Sequence, residues 1–309
     1  MLLNLLFIVI GIALVVWGAS LLTDGAVALA VRMGVPQIVI GLTIVAIGTS
    51  MPEFFVSLTS AIKGNSDMAV GNIVGSNIFN ALLIVGLAAI VSPMVILRST
   101  VKKDIPFALF ASVLLLLLCL DSSISRIDAA LLLAVFALFM YVTLKNSGKD
   151  SSEEPSGKVL SPLKAGLYVA IGLACLIFGS DLFVNNASEM ARTLGVSEAV
   201  IGLTIVAGGT SMPELATSVV AARKGNSGIA IGNVLGSNVL NILFILGFTG
   251  IVRPIAMAGI TMVDLAMLIV SMVLLWLFSF TKYTIARWEG ILLTLVFVGY
   301  LSYLLVNAV

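Results

Sequence analysis

An internal duplication constrains this chain more than any other feature of its sequence. The hexapeptide Gly-Thr-Ser-Met-Pro-Glu occurs at residues 48–53 and again, letter for letter, at residues 209–214. The same offset of 161 positions relates the apolar octapeptide at 39–46 to its copy at 200–207. Because this register holds without an insertion, the chain is predicted to contain two copies of one structural unit.

The composition places both copies in a membrane. Of the 309 residues, 60% are hydrophobic and only 10% are charged, and the mean hydropathy is +1.20. These values predict an all-α polytopic membrane protein. The net charge of +1 gives no reason to expect a nucleic-acid partner, and the absence of histidine excludes a histidine zinc site. Ten apolar segments are long enough to span a bilayer, near 3–23, 38–62, 69–97, 105–121, 127–145, 163–184, 199–223, 229–252, 262–280 and 287–307.

The ten predicted transmembrane helices divide into two sets of five. A long polar run separates them, so we expect a first repeat at 1–146, a linker at 147–162 and a second repeat at 163–309. Because five is odd, the second repeat enters the membrane from the opposite side. The predicted fold is a pair of inverted-topology five-helix repeats, with helices 2, 3, 7 and 8 carrying a site at the interface between repeats.

Basic residues predict the orientation. With the N-terminus outside, the predicted cytoplasmic loops contain 12 of the 16 Lys and Arg residues, as the positive-inside rule requires. Both termini are then external and the linker is cytoplasmic, in a multi-pass protein of the cell (inner) membrane. The lipid bilayer is the expected surrounding, and nothing in the sequence implies a protein partner.

Two glutamates, Glu53 and Glu214, are predicted to lie inside the second and seventh spans. A carboxylate at the bilayer centre costs about 2.5–3.5 kcal/mol or more, so such a residue is a functional-site hypothesis by default. A proline precedes each glutamate, removes a backbone donor and is expected to break the helix. Free carbonyls are therefore expected near Ala46–Gly48 and Ala207–Gly209. With the adjacent Thr and Ser hydroxyls they would form the all-oxygen ligand set of a hard cation.

A second polar stripe runs along the third and eighth spans, in the motif Gly-Asn-x-x-Gly-Ser-Asn. Asn72, Ser76 and Asn80 recur every four residues, close to one helical face. The motif glycines, also four residues apart, let helices approach closely. Interhelical hydrogen bonding alone is a competing explanation for Asn72 and its counterpart Asn233. For the deepest residues, Asn80 and Asn241, a role at the site is favoured. The second copy of the stripe is Asn233, Ser237 and Asn241.

The two copies of Gly-Thr-Ser-x-Pro-Glu, each followed by Gly-Asn-x-x-Gly-Ser-Asn, resemble the alpha-repeats of the cation/calcium exchanger superfamily, particularly prokaryotic sodium/calcium exchangers. The resemblance covers both halves, the ten predicted spans and the linker. It implies that Glu53, Glu214, Thr49 and Thr210 bind Ca²⁺. It also implies that Na⁺ or shared sites are formed by Ser50, Ser211, Ser76, Ser237, Asn80 and Asn241 and by the carbonyls of Ala46 and Ala207.

One position departs from part of this family. Several prokaryotic exchangers and the potassium-dependent branch carry Asp where this chain has Asn241. The site here therefore has two carboxylates rather than three, and a requirement for K⁺ is not expected.

The expected function is secondary active antiport of Na⁺ and Ca²⁺ by alternating access, without a cofactor and without enzymatic activity. Two ionised carboxylates repel each other in a low-dielectric site, and one Ca²⁺ or several Na⁺ ions neutralise them. Family resemblance makes the first and sixth spans the expected moving element. A proton/calcium antiporter of the same fold is the nearest alternative, although many hydroxyl and amide ligands suit Na⁺ better. A cation channel typically needs a pore ringed by several subunits, which an internal inverted repeat does not supply.

Overall fold

The computed structural model describes residues 1–146, 160–195, 205, 207–256 and 259–307, most of them helical. The helices, numbered in chain order, are α1 (Leu2–Met33), α2 (Gln37–Thr49), α3 (Met51–Ile62), α4 (Ser66–Val91), α5 (Thr100–Asp121), α6 (Arg126–Lys145), α7 (Pro162–Thr193), α8 (Ala207–Thr210), α9 (Met212–Arg223), α10 (Ser227–Val252), α11 (Met262–Ser279) and α12 (Arg287–Val306).

Eight of the helices within these ranges are long and apolar enough to cross a bilayer, and the bent pair α2–α3 makes a ninth span. The predicted span 199–223 is described only at residue 205 and from residue 207 onward, where it forms α8 and α9. Residues 147–159, most of the predicted linker, lie outside the described part of the chain. The predicted count of ten spans therefore remains a prediction.

The helices that contain the first and sixth predicted spans are longer than those spans. Instead of stopping at residues 23 and 184, α1 and α7 each extend over 32 residues. Asp24 lies within α1, and its carboxylate accepts a hydrogen bond from the Lys224 ammonium at 2.7 Å. A helix of this length measures about 48 Å, whereas the hydrocarbon core is about 30 Å thick. Both helices must therefore tilt or project beyond the core.

Two short antiparallel strand pairs, absent from the all-helical prediction, join the two halves of the chain. They are β1 (Met94–Val95) with β4 (Thr284–Ile285) and β2 (Ser123–Ile124) with β3 (Ile255–Ala256). The predicted third span ran to residue 97, but α4 ends at Val91, because Ser92 is extended in front of Pro93. Each pair takes one strand from each half, so the halves are connected at both ends of the bundle.

The centre of the bundle is formed by α4 and α10. In α10, 94% of the 18-residue apolar stretch that marks it as a candidate span is buried, compared with 17% of the corresponding stretch in α6 and in α12. Glycines allow this depth of packing: a Cβ on Gly236 would lie 2.7 Å from the Cα of Leu42 in α2. On one side of the bundle α1 and α7 pack tightly against each other, and a Cβ on Gly11 would lie 2.8 Å from the carbonyl oxygen of Gly179. The ends where α2 meets α3 and where α8 meets α9 therefore lie in the interior, beside α4 and α10.

Candidate cation-binding site

Each hexapeptide forms a break between two helices. Ser50 (φ −85°, ψ 9°) separates α2 from α3, and the two helices are bent by 48°. Ser211 (φ −86°, ψ 9°) separates α8 from α9 in the same way. The proline that follows stands in the first turn of the new helix, where its missing N–H is not needed. The predicted breaks are confirmed, and each glutamate lies at the positive end of a helix dipole.

The backbone carbonyls at the first break differ in part from the expectation. The Ala46 carbonyl accepts the N–H of Ser50 at 3.0 Å, because the helical turn continues through Thr49. Pro52 has no N–H, so it leaves the carbonyl four residues earlier, that of Gly48, without its usual helical donor. In the second half Ala207 is the first residue of α8.

The two breaks meet and bind each other's carboxylates. The Ser50 hydroxyl donates to Glu214 Oε1 at 2.8 Å, and the Ser211 hydroxyl donates to Glu53 Oε1 at 3.0 Å. All four residues are buried. Each half of the chain therefore supplies a carboxylate to a site completed by the serine of the other half.

The serines of the second polar stripe complete the same cluster. Ser237 Oγ lies 2.9 Å from Ser50 Oγ and 3.4 Å from Glu214 Oε1. Ser76 Oγ lies 3.1 Å from Ser211 Oγ. Four hydroxyls, two from each half, thus surround the two carboxylates.

The first asparagine of each stripe connects two helices. Asn72 Nδ2 donates to Ser57 Oγ at 3.0 Å and to the Glu53 carbonyl at 3.3 Å. Asn233 Nδ2 donates in the same way to Ser218 Oγ at 3.0 Å. The interhelical hydrogen bonds that offered a competing explanation for these asparagines are therefore present, and they support the backbone of the glutamate segment.

The two threonines occupy different surroundings. Thr49 is buried, and its hydroxyl donates to Asn233 Oδ1 at 3.0 Å. Thr210 is half-buried and forms part of a cavity wall. A hydroxyl that donates its proton elsewhere still has two lone pairs, so the bond to Asn233 leaves Thr49 able to accept or to bind a cation.

The last asparagines of the stripes, Asn80 and Asn241, lie where their helices widen into π-helical turns, a distortion frequent at functional sites. Asn80 Nδ2 donates to Asn238 Oδ1 at 3.0 Å, and Asn241 Nδ2 donates to Asn77 Oδ1 at 2.9 Å. Both amides are buried. The widened segments are Phe79–Ile84 in α4 and Leu240–Ile245 in α10.

Four buried oxygen atoms of these residues have no hydrogen-bond partner among the described parts of the chain. They are Glu53 Oε2, Glu214 Oε2, Asn80 Oδ1 and Asn241 Oδ1. No Lys or Arg side chain is buried anywhere in the described ranges. A buried acceptor without a donor is costly, whereas a hard cation is bound by carboxylate and amide oxygens together. The residues brought together here therefore fit Ca²⁺ or Na⁺ as a substrate.

A cavity of about 540 Å³ leads to this cluster from the end of the bundle where α3 ends and α4 begins. Ser76 and Thr210 stand in its wall together with Asn72, so the cavity reaches the oxygen cluster itself. Asp264 lies in the wall as well, and its carboxylate accepts a hydrogen bond from the Tyr300 hydroxyl at 2.6 Å.

The sequence motifs pointed to the ligand candidates but not to the residues that hold them. Ser57 and Ser218 accept from the first asparagines, and Asn77 and Asn238 accept from the last ones. A signal was present in the sequence, because both pairs are identical between the repeats at the common offset. Identity at a buried polar position marks a bond that both halves need, even where the residue is not a ligand.

Comparison with known proteins agrees with this geometry. The family model described as sodium/calcium exchanger protein matches residues 3–145 and 164–306, once in each half. The inner membrane protein YrbG of Escherichia coli K12 is 38% identical over 265 residues, covering 82% of this chain and 81% of that protein. The sodium/calcium exchanger MaX1 of Methanosarcina acetivorans is 33% identical over 341 residues, covering 96% and 97%.

A solved structure of the sodium-calcium exchanger NCX_Mj superimposes with a TM-score of 0.87 at 30% identity, covering 98% of both chains. The two matched segments, the shared fold and the paired motifs agree with one another. The chain belongs to the sodium/calcium exchanger protein family, a family of membrane transporters and not of enzymes.

Proposed function

We propose that this protein exchanges Na⁺ for Ca²⁺ across a membrane by alternating access. The observation that carries the proposal is the group of four buried oxygens without partners, on Glu53, Glu214, Asn80 and Asn241, in an interior where no described basic side chain is buried. Two carboxylates carry the charge that one Ca²⁺ neutralises.

The proposed calcium ligands are the groups nearest the two fixed charges. Glu53 and Glu214 provide the charge, and Thr49 and Thr210 provide hydroxyl oxygens. The Ala46 carbonyl still has a second lone pair besides the one that accepts the Ser50 N–H. The equivalent carbonyl in the second half is that of Ala207.

The proposed sodium ligands are neutral oxygens around the same carboxylates. They are the hydroxyls of Ser50, Ser211, Ser76 and Ser237 and the amide oxygens of Asn80 and Asn241. Several Na⁺ ions sharing these oxygens would neutralise the carboxylates as one Ca²⁺ does. Each hydroxyl at the centre contacts a carboxylate or another serine. Na⁺ and Ca²⁺ would therefore share the same oxygens and compete for one site, which is sufficient for exchange.

Sodium coupling is preferred to proton coupling because of this ligand set. A proton needs only a carboxylate oxygen, whereas Na⁺ needs several oxygens at once. The four serine hydroxyls and the amide oxygens of Asn80 and Asn241 would add nothing to the binding of a proton. A proton/calcium antiporter remains the alternative that the transport experiment must exclude.

The proposed architecture has ten spans in two inverted repeats, 1–146 and 163–309, with a linker at 147–162. Both termini are placed outside the cell membrane, so the large cavity opens to the external side. The pair α1–α7, which packs through glycine contacts, is the proposed moving element. The name of YrbG, an inner membrane protein, supports the location.

Calcium uptake into proteoliposomes tests this function. Purified protein is reconstituted with internal Na⁺, diluted into Na⁺-free buffer, and compared with vesicles that carry only a pH gradient. Uptake is expected with the Na⁺ gradient alone. It should respond to the membrane potential, because three Na⁺ exchanging for one Ca²⁺ moves a net charge. Uptake driven by the pH gradient but not by Na⁺ would establish the proton alternative instead.

A further inference from the structure

We propose that Asn77 and Asn238 are positioning residues that decide which end of the Asn241 and Asn80 amides faces the cation site, and that they thereby set the affinity for Na⁺ relative to Ca²⁺. This inference rests on the proposed function, because it concerns the sodium ligands of that site. Neither residue is itself placed among the ligands.

The polarity of these two side chains is fixed by the backbone. Asn77 Nδ2 donates to the carbonyl of Asn238 at 3.1 Å, and Asn238 Nδ2 donates to the carbonyl of Asn77 at 3.3 Å. A carbonyl oxygen accepts hydrogen bonds and never donates. The nitrogen end of each amide must therefore face the opposite helix, and a second contact of Asn238 Nδ2 to Met272 Sδ at 3.5 Å favours the same orientation.

The fixed polarity is passed on to the ligand amides. Because its nitrogen already donates to the Asn238 carbonyl, Asn77 can present only Oδ1 to Asn241. Asn241 must therefore donate through Nδ2 to that oxygen, at 2.9 Å. Asn238 orients Asn80 in the same way at 3.0 Å. Both ligand residues then turn Oδ1 away from this contact, and these are the two amide oxygens that have no partner. An amide of one half orients the ligand of the other half.

The orientation matters because the two ends of an amide are almost equal in shape and opposite in function. A flipped Asn241 would present an NH₂ group to the site. That group repels cations and can donate to the free carboxylate oxygens, where it would compete with the transported ion. Na⁺ depends on neutral oxygens more than Ca²⁺ does, since the two carboxylates dominate divalent binding. Loss of the orientation should therefore weaken Na⁺ binding more than Ca²⁺ binding.

The test measures half-saturating concentrations of Na⁺ and Ca²⁺ for the purified full-length protein, by ion-dependent thermal unfolding and by calorimetry. Asn77→Leu and Asn238→Leu are each expected to raise the Na⁺ value on the order of tenfold, with a much smaller change for Ca²⁺. Asn77→Ser, whose hydroxyl rotates and has no fixed polarity, should act in the same direction and replaces Asn77→Leu if that variant does not fold. Ser112→Ala removes a buried hydroxyl whose hydrogen bond to the Ala108 carbonyl stays within α5, away from the site, and it should leave the ratio unchanged.

A double-mutant comparison separates orientation from simple support. In Asn241→Asp the two ends of the side chain are both oxygen, so its orientation no longer matters. Asn77→Leu should then no longer weaken Na⁺ binding in the Asn241→Asp background, where Asn77 Oδ1 would face a carboxylate oxygen and not an amide nitrogen. Additive effects in the two backgrounds, or parallel losses of Na⁺ and Ca²⁺ affinity, would overturn the inference. If wild-type protein shows no competition between Na⁺ and Ca²⁺, the proposed function fails and the inference fails with it; if competition is present but the ratio does not move, only the inference fails.

Discussion

The two halves of this protein are alike at the centre and different at the rim. At the centre each half supplies one glutamate, and the serine–glutamate bonds across the interface measure 2.8 Å and 3.0 Å. At the rim the same glycine motif has two surroundings. A Cβ on Gly236 would meet Leu42 at 2.7 Å, whereas no described atom lies within 4 Å of a Cβ on Gly75.

The cavities show the same difference. Beside Gly75 the space measures about 540 Å³, and the equivalent space of the other half, lined by α2, α5 and α6, measures about 190 Å³. The segment of the second half that corresponds to α2, residues 198–210, is described only at residue 205 and from residue 207 onward, so these two surroundings are those of the described residues.

The largest effect is expected where the halves are most alike. Glu53→Gln and Glu214→Gln should each lower Na⁺-driven Ca²⁺ uptake about a hundredfold or more, because each removes half of the fixed charge of a divalent site. Uptake into proteoliposomes measures it. Unequal effects of the two substitutions would show that the halves are not equivalent at the centre.

Glu289→Gln is the matched control for this pair. Glu289 is also fully buried, but its carboxylate accepts the N–H of Ala286 at the start of α12, a bond that Gln can keep. Uptake by this variant should stay close to wild type. If it falls as far as in Glu53→Gln, burial of a carboxylate and not its place in the site is what matters.

A second effect of large size is expected from adding charge to one half alone. Wild-type uptake should not change when K⁺ is replaced by choline. Asn241→Asp puts a carboxylate opposite Asn77 Oδ1, where the amide nitrogen now donates at 2.9 Å. Transport by this variant should become dependent on pH or on K⁺, with rates that change on the order of tenfold. A variant that behaves like wild type at every pH and K⁺ concentration would remove Asn241 from the site.

A smaller effect, on thermal stability, is expected from disturbing the close packing of α10 against α2. Gly236→Ala forces a methyl group against the α2 backbone, which costs about 1–3 kcal/mol, so thermal unfolding in detergent should begin a few degrees lower. Gly299→Ala, at an exposed position of α12 where no described atom lies within 4 Å of the added Cβ, should leave the unfolding midpoint unchanged. An equal loss of stability in both variants would contradict the close packing of Gly236.

The smallest effect concerns a contact found on one side only. Lys224 binds Asp24 at 2.7 Å and the Ser20 hydroxyl at 2.8 Å, which ties the end of α9 to α1. The side-chain ammonium of its counterpart Lys63 makes no hydrogen bond or ion pair within the described ranges. Since the pair is partly exposed, Lys224→Met should change the exchange rate no more than about fivefold.

Lys63→Met is the control for that substitution and should have a smaller effect on the initial rate of uptake. Both rates are measured in the same uptake assay, with Na⁺ imposed on either side. A larger effect at Lys63 would mean that its side chain makes contacts that the described residues do not show.

The sequence alone determined the class of fold and pointed to most of the candidate site. The composition required a membrane, and the constant offset required two copies. The breaks at Ser50 and Ser211 were predictable because a proline acts on its own backbone wherever it stands. The paired glutamates were predictable as site residues because a buried carboxylate without a reason is too costly to occur twice. These are local properties or properties of composition, and they need no knowledge of distant contacts.

Only the tertiary structure decided how the two copies meet. No pattern along the chain shows that Ser50 binds Glu214 and not the neighbouring Glu53, or that Asn77 orients Asn241. Nor did the sequence predict that α1 continues through Asp24, since Lys224 lies 200 positions away. The packing of whole helices was the least predictable feature, because it depends on the free energy of the assembled bundle and not on the local preferences of any segment.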